Sequence, residues 1–187
     1  MTITFFPVRS GGNSRKKQLK DKYSAATDNI AQFEALLCGK AIELYLPDGY
    51  YYTSILQTIS AAEFDGSGEH DVTYTFAAVR HKPQVTDNVS PGKSIYCSGT
   101  TVSPCKIVVD FPTAQESVTI KGISVNNITA NGKLVIDGID GLITFNGTNK
   151  FNDSDLFDFP TLAPGNNVID CTADDADITV TYTPIFI

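Results

Sequence analysis

The hydrophobic period changes once along this chain, and that change constrains its fold more than any other feature. Between residues 14 and 39 apolar side chains recur every three or four positions. Leu19, Tyr23, Ala26, Ile30, Phe33 and Leu37 are spaced 4, 3, 4, 3, 4 and so share one face of a helix. Ser14 is placed to cap the N-terminus, and Gly39, just past Leu37, supplies a left-handed stop. Such a stripe must lie against a sheet or a second helix. From Ile42 onward the period is two. Ile42, Leu44 and Leu46 alternate with Glu43 and Tyr45, Asp48-Gly49 is a hairpin turn, and residues 50–59 form the return strand. Asp65-Gly66-Ser67-Gly68 turns into a third strand over 72–79, with Val72, Tyr74 and Phe76 on one side. An opening strand over 2–8, stopped at Pro7, and a loop over 10–14 precede the helix. Strand, helix and three-stranded meander make an α+β unit.

The stretch 80–92 is polar, holds Pro83 and Pro91, and reads as a linker. Beyond it come short strands rich in Thr, Val and Ile, at 94–97, 106–111, 117–125, 133–137, 142–145, 167–171 and 178–182. Turns recur at Asn131-Gly132, Asp137-Gly138, Asp140-Gly141, Asn146-Gly147 and Pro164-Gly165. Many short strands with turn signals and no helical pattern predict a β-sandwich, and no fixed-period repeat points to a solenoid or propeller. The expected organisation is an α+β domain over 1–83, a linker over 84–93 and a sandwich over 94–187. In the first unit, one helix and four strands leave a thin sheet with open edges, which invite pairing with another chain.

Composition narrows the functions. With 187 residues, 42% of them hydrophobic, the chain can build a core without disulfide or metal staples. The net charge of −7 is uneven: residues 1–90 carry 9 basic and 10 acidic groups, and residues 91–187 carry 5 and 11. An acidic second half argues against wrapping a polyanion, so no direct nucleic-acid binding is expected. The longest apolar runs, such as 76–79, fall far short of the ~18 residues that cross a bilayer. The opening Met1-Thr2-Ile3-Thr4-Phe5-Phe6-Pro7 has neither a basic nor a cleavable apolar region, so no membrane span and no signal peptide are expected. Cys38, Cys97, Cys105 and Cys171 include no C-x-x-C pair and read as free thiols.

Reactive constellations are hard to assemble from these residues. The histidines are His70, in the turn Gly66-Ser67-Gly68-Glu69-His70-Asp71, and His81, in the linker; no G-x-S-x-G elbow accompanies them. Cys97 and Cys105 are separated by seven residues, which is not a zinc-knuckle spacing. Asp153, Asp155 and Asp158 resemble a calcium loop only until its sixth and twelfth positions, which are Asp158 and Pro164 instead of Gly and Glu. Asp174, Asp175 and Asp177 read as a solvated turn. No catalytic residue, metal site or cofactor is expected. Tyr50-Tyr51-Tyr52 is either a half-buried strand or a ligand platform, and the absence of Trp weighs against sugar stacking. Arg15, Lys16, Lys17, Lys20 and Lys22 lie in the first turns of the helix, where positive charge opposes the helix dipole. They read either as a solvated basic face or as contacts to an acidic partner.

The succession Gly132-Lys133-Leu134-Val135-Ile136-Asp137, Leu142-Ile143-Thr144-Phe145-Asn146-Gly147, Ser154-Asp155, Phe159-Pro160, Leu162, Pro164-Gly165-Asn166-Asn167 and Ile178-Thr179-Val180-Thr181-Tyr182 resembles the C-terminal domain of the distal tail proteins of long-tailed bacteriophages and prophages. Phe33-Glu34-Ala35-Leu36-Leu37, residues 44–52 and residues 72–76 look like the helix, hairpin and last strand of that family's N-terminal belt domain. The resemblance implies a belt-like α+β domain followed by a galectin-like sandwich, in a non-enzymatic tail-tip protein of the virion. Its partners would be copies of itself in a hexameric ring, the tail tube, and tail-tip or receptor-binding proteins. Relatives usually carry further strands before the segment matching residues 2–8, so the belt is expected to be shortened. Candidate interface residues are the edge strand Thr2, Ile3, Thr4, Phe5 and Phe6 and the basic run Arg15, Lys16, Lys17, Lys20 and Lys22. The alternative is a receptor- or glycan-recognising sandwich, with Tyr51 and Tyr96 as aromatic contacts.

Overall fold

The computed structural model describes residues 2–5, 28, 30–60, 63–64 and 70–187. The chain divides into two units, residues 1–80 and 81–187. The first holds β1 (Thr2–Phe5), a helix whose described part includes 30–37, β2 (Ala41–Tyr45), β3 (Tyr51–Ile59), β4 (Glu63–Phe64) and β5 (His70–His81). The sheet order is β1-β5-β3-β2, with β4 on β5, so the expected meander is present and β1 and β2 stand at the two ends. The helix stops where expected: the Cys38 amide donates to the Glu34 carbonyl at 2.9 Å, and Gly39 takes φ +69°. Its last turns cover the inner sheet face. Leu37 is buried, and Ile30 and Phe33 pack with Val72, Tyr74, Phe76, Ile42 and Leu56. The Phe33 ring meets Tyr74 edge-on at 5.3 Å. Ser14, Leu19, Tyr23 and Ala26 lie outside the described residues.

The second unit runs β6 (Val85–Val89), β7 (Lys93–Cys97), β8 (Ser103–Phe111), β9 (Gln115–Ile120), β10 (Ile123–Ile128), β11 (Gly132–Asp137), β12 (Leu142–Phe145), β13 (Thr148–Asn149), a 3₁₀ turn at Phe151–Asp153, β14 (Thr161–Leu162), β15 (Gly165–Ile169), β16 (Asp177–Tyr182) and β17 (Ile185–Phe186). One sheet has the order β13-β12-β11-β8-β16-β6, with β14 on β8. The hairpins β10-β9 and β15-β7 make the other, joined by a bridge between Ile120 and Cys171 and by the Lys121 amide on the Asp170 carbonyl. Strict alternation along β8 buries Cys105, Ile107, Val109 and Phe111. Register stacks Leu134, Val109 and Ile178 in one row and Ile136, Ile107 and Val180 in the next. Val118, Ile120, Val125 and Ile169 belong to the same buried cluster, contributed by the other sheet. This is the expected sandwich.

Three local readings need correction. The stretch 84–93 contains β6, which pairs with β16 from Val85 opposite Tyr182 to Val89 opposite Ile178; its polar residues belong to an edge strand that needs burial on one side only. Residues 117–125 form two strands, because Lys121 and Gly122 take φ 46° and 77° and reverse the chain. His70 is the first residue of β5, opposite Phe64, and not part of a turn. Gly132, by contrast, is required by a close approach: a Cβ there would stand 2.0 Å from the Phe145 ring.

Candidate assembly interface

The first unit covers one face of its sheet with a helix, and the opposite face of the β2–β3 ribbon bears apolar side chains in water. Register places Ala41 opposite Ile55, Glu43 opposite Thr53, and Tyr45 opposite Tyr51. Tyr45 is 65% exposed and Ile55 54% exposed. The rings of Tyr45 and Tyr51 lie 4.9 Å apart. On the inner face, the Tyr52 hydroxyl donates to Asp48, whose other oxygen accepts from the Tyr50 amide at 3.1 Å, so the hairpin end is fixed. These hydrogen bonds, that of Tyr52 foremost, hold the Asp48 carboxyl below its usual pKa. Arg80 lies 4.8 Å over the Tyr50 ring. The tyrosine run is therefore a half-buried strand end.

Of the sequence-derived candidates, Thr2, Ile3, Thr4 and Phe5 form β1, paired antiparallel with β5 from Thr2 opposite Thr75 to Phe5 opposite Val72. They stand at one end of the sheet order, and Ala41–Tyr45 stands at the other. Phe6, Arg15, Lys16, Lys17, Lys20 and Lys22 lie outside the described residues. Tyr45 and Ile55 were not singled out from sequence, although their exposure follows from the alternation already legible there: Ile42 and Leu44 face the helix, so Tyr45 faces out.

In the second unit, a shallow groove of about 490 Å³ runs between β6 and β7 and includes Asp87, Asn88, Ser94, Tyr96 and Tyr182 in its lining. The Tyr182 hydroxyl lies 3.0 Å from the Tyr96 carbonyl and 3.3 Å from Asp87 Oδ2, and its single proton is shared between them. Burial, reinforced by Asp87, pushes this phenol up to about 12, so it remains a neutral donor. Tyr96 itself is 65% exposed.

Two of the thiols and one histidine have defined surroundings. Cys97 and Cys105 are fully buried, and burial pushes the Cys105 thiol up to about 11, which removes the thiolate a nucleophile requires. The His81 Nδ1 lies 3.0 Å from the Lys82 carbonyl. Among the described residues, no three His, Cys, Asp or Glu side chains converge as a metal cluster, and no helix is long and apolar enough to cross a membrane.

Residues 98–186 match the family model described as siphovirus-type tail component, C-terminal domain. The matched stretch takes in the strands from β8 to β17. Across its whole length the chain superposes on the crystal structure of the Dit protein (gp 19.1) of phage SPP1, described as a paradigm of the hub adsorption apparatus in phages that infect Gram-positive bacteria. The TM-score is 0.75 at 16% identity, covering 100% of this chain and 78% of the other. A chain of the activated phage p2 baseplate with strontium gives 0.36 at 12% identity, over 97% and 78% of the two chains, below the level at which two chains share a fold. No curated protein matches in a sequence search. The chain has the Dit fold in both units, and the resemblance to distal tail proteins read from the sequence is borne out.

Proposed function

We propose that this tail component joins the end of a tail tube to the adsorption apparatus, assembling with copies of itself through the first unit and docking other tail proteins through the sandwich. The observation that carries this reading is the tail-component domain at residues 98–186 within a chain of the Dit fold. The sheet of the first unit supports the self-assembly step. Strands β1 and β2 stand at its ends, and Tyr45 and Ile55 are exposed beside one of them, a combination that adds strands and buries apolar area between subunits. The action is association, without catalysis or a cofactor, in the virion tail. The basic run Arg15, Lys16, Lys17, Lys20 and Lys22 would meet acidic surface on a neighbour, in keeping with 12 acidic against 6 basic groups over residues 81–187. A hexameric ring is the expected product.

Light scattering behind size exclusion tests this directly. A discrete multimer should form as concentration rises and weaken with added salt as the basic run is screened. A monomer across the whole range would overturn self-assembly as the first unit's role.

A further inference from the structure

One loop of the sandwich carries an aromatic side chain that the fold itself does not use. Phe157 is 94% exposed and so contributes none of its ring's burial to folding. The loop that holds it is fixed on both sides. Before it, the Asp155 amide donates to the Ser124 carbonyl at 3.1 Å, and Asp155 Oδ1 accepts from the Ser124 amide at 2.6 Å. Leu156, its immediate neighbour, is buried in the core. After it, Phe159 packs on the core, and the Pro160 carbonyl accepts from the Cys105 amide at 3.1 Å. The ring is thus held outward between two anchors and needs little ordering before it binds.

A second fixed loop lies alongside. A Cβ on Gly138 would stand 2.5 Å from the Pro160 carbonyl, and one on Gly141 would stand 3.9 Å from the Phe159 ring. Asp137 Oδ1 accepts from the Ile139 and Asp140 amides, both at 3.0 Å, and so projects Ile139, which is 50% exposed. The charges on the two loops have one sign: Asp140, Asp155 and Asp158 are exposed. The cations that border them are engaged: Lys106 by Asp137 at 2.9 Å, and Lys150 by Asp153 at 2.6 Å and by the Asn127 carbonyl.

We infer that these loops form a docking knob, with Phe157 and Ile139 as apolar anchors and aspartates around them, for a tail protein that offers an apolar pocket rimmed by Lys or Arg. The acidic rim calls for a basic partner, and the exposed aromatics Tyr45 and Tyr96 of a second copy stand beside acids instead, Glu43 and Asp87; a second copy that offers its basic run Arg15 to Lys22 is the rival occupant that the test below separates. The inference rests on the tail-protein reading above and deepens it by naming the contact and the chemistry of the partner.

The full chain, immobilised on a biosensor, is titrated with each of the other tail-tip proteins of the same phage, purified singly. One of them should bind. Phe157→Ala should weaken that binding roughly tenfold or more with an unchanged melting curve. Asp140→Lys with Asp158→Lys should slow association and flatten its salt dependence. Val102→Ala, at an exposed apolar position elsewhere on the sandwich, should leave binding as in the wild type. Binding that survives Phe157→Ala overturns the knob and leaves the tail-protein reading standing. Wild-type chain that binds none of these proteins overturns both. A drop in self-association of Phe157→Ala, seen by light scattering, would assign the knob to a second copy instead.

Discussion

The two units solve the same problem, burying one face of a sheet, in different ways. In the second, the inner face of β8, β11 and β16 meets another sheet, and the buried cluster extends from Ile95 to Tyr182. In the first, a helix covers the sheet, and the described buried cluster is Leu37, Val72, Tyr74 and Phe76. The outer face of β2–β3 keeps Tyr45 and Ile55 in water. The difference teaches where stability and assembly are placed. A sandwich closed on its own side chains serves as a platform whose loops are free to vary. Among the described residues, a sheet covered on one face, with β1 and β2 at its ends, offers its outer face and edges to other chains.

The largest effect should come from the sandwich core. Ile107 is fully buried between Ile136 and Val180. Ile107→Ala should cost about 2–5 kcal/mol, through lost burial and the cavity left behind. Hydrogen exchange followed peptide by peptide should show protection lost along β8, β11 and β16 and retained in β2 and β3. Equal loss in both units would mean that they unfold together, and the comparison would break.

Asp137 sharpens it. The side chain is buried, its Oδ1 accepts from two amides, and Oδ2 pairs with Lys106 at 2.9 Å. Burial alone would raise its pKa, but the Asp140 and Ile139 amides and the Lys106 ammonium outweigh it, and the net shift is downward from 3.8. Because the folded value lies below the unfolded one, the stabilisation is fully present above about pH 4 and is lost as pH falls through the folded value. Asp137→Ala should cost about 2–4 kcal/mol at neutral pH, since it orphans two amides and a cation. Asp137→Asn, which keeps an acceptor for the amides, should cost less and show a flatter urea midpoint between pH 5 and pH 2. An unchanged acid dependence in Asp137→Asn would remove the carboxylate from the sandwich's stability.

Much of this was legible in the sequence, and the misses have physical causes. The alternation Cys105, Ile107, Val109, Phe111 is the period-two signal of a strand with one buried face, and Phe33 and Leu37 announce the covered helix face. The hairpin at Lys121-Gly122 was hidden because apolar alternation continues on either side of it, and Lys at φ 46° has no turn chemistry to betray the reversal. Strand β6 was hidden by its flanking prolines and by outward polar residues, which an edge strand tolerates. The Phe157 knob was illegible for a deeper reason. Sequence shows that an aromatic is present among aspartates, but only the anchors at Leu156, Ser124 and Pro160 determine that it points outward.

A smaller effect belongs to the groove. Tyr182→Phe removes one hydroxyl shared between the Tyr96 carbonyl and Asp87, while the ring keeps its place in the core. The expected loss is about 1 kcal/mol by urea denaturation, because Asp87 and the carbonyl regain water at the open groove. A loss several times larger would show that the β6–β7 side of the sandwich is held mainly by this bond.

The smallest effect on stability should accompany the change in behaviour that separates the two units most clearly. Ile55 is more than half exposed on the outer face of β3, opposite Ala41. Thr keeps the β-branch that suits a strand and shortens the side chain, so Ile55→Thr should shift the unfolding free energy by less than about 0.5 kcal/mol. Combined with Tyr45→Ser, it removes the two most exposed apolar groups of the ribbon, and the multimer should then dissociate at concentrations where the wild-type chain stays assembled. A folded chain that loses its partners would place assembly on the outer face of the ribbon. Unchanged assembly in the double variant would move it to the backbone edges, where strand addition depends on amides and carbonyls and is indifferent to these side chains.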